Sequence, residues 1–103
     1  MLFRRGPSTG NKAVATADPR FTRAERLILE WPSTDSAAAA AQLLDRTGHP
    51  LALPVQVTTR AEPGAAWSWI VAEVVLGPLA PGDYGVEVSH AGTTRVTEFR
   101  IVP

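Results

Sequence analysis

Residues 67–88 read WSWIVAEVVLGPLAPGDYGVEV. Ile70, Ala72, Val74 and Leu76 recur at period two, which places them on one face of a strand. The β-branched residues Ile70, Val71, Val74 and Val75 favour strand over helix. Gly77, Pro78, Pro81 and Gly82 break the pattern, and Tyr84, Val86 and Val88 restart it. Two strands joined by a tight corner follow. Leu79, too apolar for a free loop, reads as a plug under that corner. Tyr84 opens the second strand directly after Pro81-Gly82-Asp83. This matches a tyrosine corner, in which the phenol hydroxyl bonds nearby backbone.

The same alternation recurs on both sides. Leu27, Leu29 and Trp31 share one face of a strand over Arg23–Trp31, with Arg26, Ile28 and Glu30 on the other. Pro32 is expected to end it. Leu51, Leu53, Val55 and Val57 alternate with Ala52, Pro54, Gln56 and Thr58. Thr97, Phe99 and Ile101 mark a final strand over Thr94–Val102, after a turn at His90-Ala91-Gly92. A short extra strand fits near Thr58–Arg60, inside a loop that turns at Glu62-Pro63-Gly64.

Residues 33–48 read two ways. Thr34, Asp35 and Ser36 are good helix caps, five alanines follow, and Gly48 and Pro50 are helix stops. The alternative is a strand over Ala40–Leu44, then a turn at Asp45-Arg46-Thr47-Gly48. The alternating segment from Leu51 needs a hairpin partner, so the strand is preferred. Strands this short and this closely spaced indicate an all-β fold, an immunoglobulin/fibronectin III-like antiparallel β-sandwich of six to seven strands. Its expected core is Leu27, Leu29, Leu53, Val55, Val74, Leu76, Tyr84, Val86 and Phe99.

At 103 residues the chain is one domain. Turn-rich residues 1–22 are expected to form an irregular basic lead segment before a sandwich over 23–103. Formal net charge is zero, so no global field recruits nucleic acid or membrane. The first 23 residues nevertheless set five cations against Asp18 alone, a balance of +4 against −4 for the remainder. Docking of this segment on the body is expected, with Phe3, Val14 and Phe21 as anchors. Without cysteine there is no disulfide or thiolate chemistry. No apolar run approaches a membrane span, and no signal peptide is recognisable.

Four stretches, LFRRGPSTGN, ADPRFTRAERL, LLDRTGHPL and LGPLAPGDY, resemble the C-terminal region of bacterial von Willebrand factor A-related domain proteins. The resemblance covers essentially the whole chain. It implies an immunoglobulin-like tail after a von Willebrand factor A-like domain, in a larger, exported (periplasmic or extracellular) protein. The Asp-x-Ser-x-Ser metal-ion adhesion motif of that preceding domain is absent, so no metal role carries over.

Catalytic residues and cofactors are not indicated. His49 and His90 fall in turns without further ligands at metal spacing. No G-x-S-x-G elbow, phosphate loop or carboxylate pair is present. Trp67, Trp69 and Val71 are the candidate binding residues, because the inward face at Ile70 sends them outward. Exposed aromatic pairs suit burial under a protein or stacking on a sugar. The expectation is a non-enzymatic interaction module for a neighbouring domain or another protein, with carbohydrate as the alternative ligand. Folding back of residues 1–23 is expected to shield both tryptophans.

Overall fold

A computed structural model describes residues 1–35 and 37–103. Among these are nine strands and one short 3-10 turn at Pro7–Thr9. The strands are β1 (Leu2–Arg5), β2 (Val14–Ala15), β3 (Arg20–Phe21), β4 (Arg26–Ser33), β5 (Ala40–Asp45), β6 (Gln56–Ala61), β7 (Ser68–Val75), β8 (Gly82–His90) and β9 (Thr93–Ile101). They form two sheets, ordered β2-β1-β4-β7-β6 and β3-β9-β8-β5. The chain is therefore all β, a two-sheet sandwich. Six of the strands lie after residue 23, and the other three come from the lead segment.

The core follows the period-two pattern. Leu27 and Leu29 of β4 stand opposite Val74 and Ala72 of β7. Val86 and Val88 of β8, with Phe99 and Ile101 of β9, close on them from the second sheet. Leu43, Leu76 and Phe21, all with no solvent exposure, belong to the same cluster. Leu53, Val55 and Tyr84, expected in the core, are half-buried at its margin.

Residues 40–45 form a strand, β5, paired with β8. Its expected hairpin partner is reduced to one bridge, Leu44 to Pro50. The Leu51 N–H still donates to Leu43 O at 2.8 Å. Leu51, Leu53 and Val55 pack as an extended rim against the core without ladder pairing. Pro54 explains this, since it lacks the donor a ladder needs. The strand proper begins at Gln56 and takes in Thr58–Arg60.

Pro32 does not end its strand. β4 continues to Ser33, with Pro32 opposite Trp69. The Glu30 N–H bonds Met1 O, so Pro32, two residues on, turns its nitrogen to that same side. β1 has stopped by then, and the missing donor is not needed.

The lead segment is not irregular, and the expected boundary at residue 22 does not separate two structures. β1 inserts between β2 and β4. The chain then changes sheet, and β3 pairs parallel with β9. That pairing is the exception in an otherwise antiparallel fold. Phe21 is a core residue, Phe3 is half-buried, and Val14 is 47% exposed and anchors nothing.

Arg4 fastens this arrangement. Its register with Leu27 turns it toward the inner face. The guanidinium lies 4.6 Å from the Phe21 ring centroid. Nη1 donates to both carboxylate oxygens of Glu25, at 2.9 and 3.1 Å. Nη2 donates to the carbonyls of Asp18 and Arg20, at 3.1 and 2.9 Å. Glu25, only 5% exposed, also accepts from the Thr22 N–H at 2.8 Å. A Cβ at Gly6 would fall 3.1 Å from Glu25 Cγ and 3.2 Å from the Ala24 carbonyl. Glycine is needed there because backbone and carboxylate pack this closely.

Candidate functional site

Trp67 and Trp69 lie on the outer face of the five-stranded sheet. Ile70, Ala72 and Val74 are buried beneath, so the intervening side chains of β7 point away from the core. The two indoles meet edge to face, with centroids 5.0 Å apart and planes at 79°. Both rings are half-buried, as is Val71. The ladder sets Pro32 on one side of Trp69 and Arg60 on the other. Val71 lies in the next row, between Glu30 and Thr58.

Charged groups frame this apolar strip. The Trp69 Nε1–H donates to Glu62 Oε2 at 2.9 Å. Arg60 lies 5.9 Å from the Trp69 ring centroid and donates to Glu30 Oε1 at 3.1 Å. Further along the face, Glu73 sits 3.4 Å from Arg5 and 3.5 Å from Arg26. Those two ion pairs lack hydrogen-bond geometry, and Glu73 Oε1 has no bonded partner among the described residues.

The lead segment does not cover the tryptophans. It joins the sheet edge-on, and β4 stands between β1 and β7. The attraction expected from its charge is realised in Arg4–Glu25 and Arg5–Glu73 instead. What partly shields Trp69 is its own neighbourhood: Trp67, Arg60 and Glu62. The two rings are also not coplanar. One ring turns its edge to the other, so the pair offers no continuous flat platform for a sugar.

Leu79 and Tyr84 make up the corner. Leu79 is buried, and its N–H bonds Leu76 O at 3.0 Å. The Tyr84 hydroxyl donates to Ala80 O at 2.7 Å. The Tyr84 ring stacks on Phe99, with centroids 5.7 Å apart, and Phe99 meets Phe21 edge-on. The corner is thus tied to the lead segment through one row of aromatic rings that ends at Arg4.

Two further places were not indicated by the sequence pattern. One is a notch of about 290 Å³ between the sheets, lined by Leu29, Trp31, Val88, His90 and Arg95. Trp31 is the third tryptophan, and its place at the end of an inward-facing row was its only signal. Ser33 Oγ lies 2.8 Å from His90 Nε2 here. His90 Nδ1 has no partner among the described residues, so no carboxylate orients the ring as nucleophile activation requires. The other is a shallow groove of about 700 Å³ on the outer face of the four-stranded sheet. One ion pair crosses its ladder, Arg100 Nε to Asp83 Oδ1 at 2.7 Å.

Three aspartates are held below the ordinary carboxylate range. The Arg20 side chain does this at Asp18, the Thr47 hydroxyl at Asp45 and the Arg100 side chain at Asp83. Among the described residues, no three His, Asp or Glu side chains converge to hold a metal ion, and no helix is long and apolar enough to cross a membrane. No protein-family model, curated protein or solved structure matches the chain.

Proposed function

We propose that the chain is a non-catalytic interaction module whose partner covers the Trp67–Trp69–Val71 strip. The partner is a neighbouring domain of the same polypeptide or another protein. One observation carries this reading: an apolar strip with two half-exposed indoles and a charged rim crosses an otherwise ion-laced sheet face. Buried aromatic anchors ringed by polar groups are the usual composition of a protein interface. The perpendicular indoles favour a protein surface over a sugar ring. The stretches quoted above support placing the module in a larger, exported protein related to von Willebrand factor A-domain proteins.

The test is to titrate the domain with a von Willebrand factor A-like domain from the same polypeptide and follow the tryptophan Nε1–H resonances. The Trp67 and Trp69 signals should shift, and Trp69→Ala should abolish binding. Unshifted signals would reject this partner. A shift with soluble oligosaccharides instead would install the carbohydrate reading.

A further inference from the structure

Among the described residues the longest open strand edge belongs to β9. β8 pairs with β9 without a break, from Gly82 opposite Ile101 to His90 opposite Thr93. On the other side, β3 covers only Arg100 and Ile101. There the Arg100 N–H donates to Pro19 O and the Val102 N–H to Phe21 O, at 2.9 and 2.8 Å. The ladder has no bulge, so alternation runs back along the strand. Glu98, Val96 and Thr94 direct their N–H and C=O groups to this same edge. No strand among the described residues meets them.

The other edges are shorter or covered. β2 has two residues. The rim strip takes up Leu43 O and the Asp45 N–H of β5. β6 is open on its outer edge but has six residues, against the seven of Thr93–Phe99 in β9. The β9 edge has one guard, the inward-facing Arg95, and no bulge. Its free stretch, Thr93 to Phe99, contains no proline or lysine and is rich in β-branched residues.

We propose that this edge binds a second copy of the chain, antiparallel, on a two-fold axis through Val96. Val96 is the midpoint of the free stretch. It is also 51% exposed, one of few large apolar side chains so placed among the described residues. The axis sets Val96 against the partner's Val96, and Thr94 against the partner's Glu98. Each such pair exchanges both backbone hydrogen bonds. No like charges fall directly opposite. The contact is self-complementary, as a two-fold interface must be, and it joins two four-stranded sheets edge to edge.

One feature opposes the pairing. Arg95 has no ion pair among the described residues. On the inner face it lies diagonal to the partner's Arg95, a spacing of about 7–8 Å. That repulsion is screened by salt. Association therefore tightens as ionic strength rises, opposite to the trend for a contact held by ion pairs.

The experiment is sedimentation velocity of the full chain over a wide concentration range, at low and high salt, with amide exchange measured in parallel. The expected result is a dimer that strengthens with concentration, with salt and in Arg95→Gln. Exchange at Thr94, Val96 and Glu98 slows as the protein is concentrated. Val96→Lys, a change at an exposed position, is monomeric, and its melting temperature matches that of the unchanged chain at concentrations where the latter is also monomeric. A monomer at every concentration, with these amides exchanging freely, overturns the proposal. So does a dimer that survives Val96→Lys, since it would use another edge such as β6.

Discussion

Replacing Arg4 with methionine isolates what fastens the first strands to the sandwich. The methionine keeps much of the aliphatic stem and removes the guanidinium. Glu25 then keeps its Thr22 N–H bond but loses its cation. The carbonyls of Asp18 and Arg20 lose their shared donor. Breaking a buried ion pair from one side costs about 3–5 kcal/mol. Arg4 itself retains 19% exposure, so water compensates in part and about 2–3 kcal/mol is expected. With a urea dependence of about 1–1.5 kcal/mol per molar for a chain of this size, the midpoint falls by about 2 M. The assay is equilibrium urea unfolding of Arg4→Met, Glu25→Gln and the double variant at neutral pH. Because the two groups act on each other, the double variant should cost well under the sum of the singles. Coupling below about 0.5 kcal/mol would refute the reasoning, since independent sites add to within that margin.

Three further outcomes follow from the structure. Tyr84→Phe keeps the stack on Phe99 but loses the bond to Ala80 O, and should lower stability by about 1 kcal/mol in the same assay. Ala91→Asn should raise the melting temperature. Ala91 and Gly92 both have positive φ, 52° and 78°, as a tight hairpin turn requires, and asparagine tolerates that conformation better than alanine by about 0.5–1 kcal/mol. An unchanged or lowered melting temperature would contradict this reading of the turn. Stability should also fall as the solution is acidified. Asp18, Asp45 and Asp83 titrate below their ordinary value in the folded chain. Their contribution is full above about pH 4 and is lost as pH drops through the lowered values. Unfolding midpoints of Asp45→Ala should be less sensitive to pH in that acid range.

Period two was readable wherever a strand has one buried face. Leu27, Leu29, Val74, Leu76, Val86 and Phe99 were legible in this way, and so was the corner at Leu79 and Tyr84. The lead segment was not, because two- and four-residue strands are too short to show a period. Arg4 was the least visible, since a charged residue on an inner face is explained only by Glu25 and two carbonyls far along the chain. Ile28 was read as outward-facing, and it is outward, yet it is buried. The ladder places Phe3 and Glu73 on either side of it, and neither neighbour can be inferred from local sequence. The direction of Trp67 and Trp69 followed from Ile70. Their perpendicular setting and their partners Arg60 and Glu62 did not, because these depend on which strand lies alongside.

The parallel pairing of Phe21 with Ile101 also sets an order in time. The β8–β9 hairpin closes over two residues, a local contact. β3 has no partner until β9, the last strand, exists. A chain emerging from the ribosome must therefore hold Phe21 without this docking place until β9 has been made. Contacts between distant parts of a chain are slow to form, because loop closure must come before they contribute. The β3–β9 pairing joins distant parts of the chain through two residues of β3, so exchange of the Arg100 and Val102 amides should report its opening before the core strands release theirs.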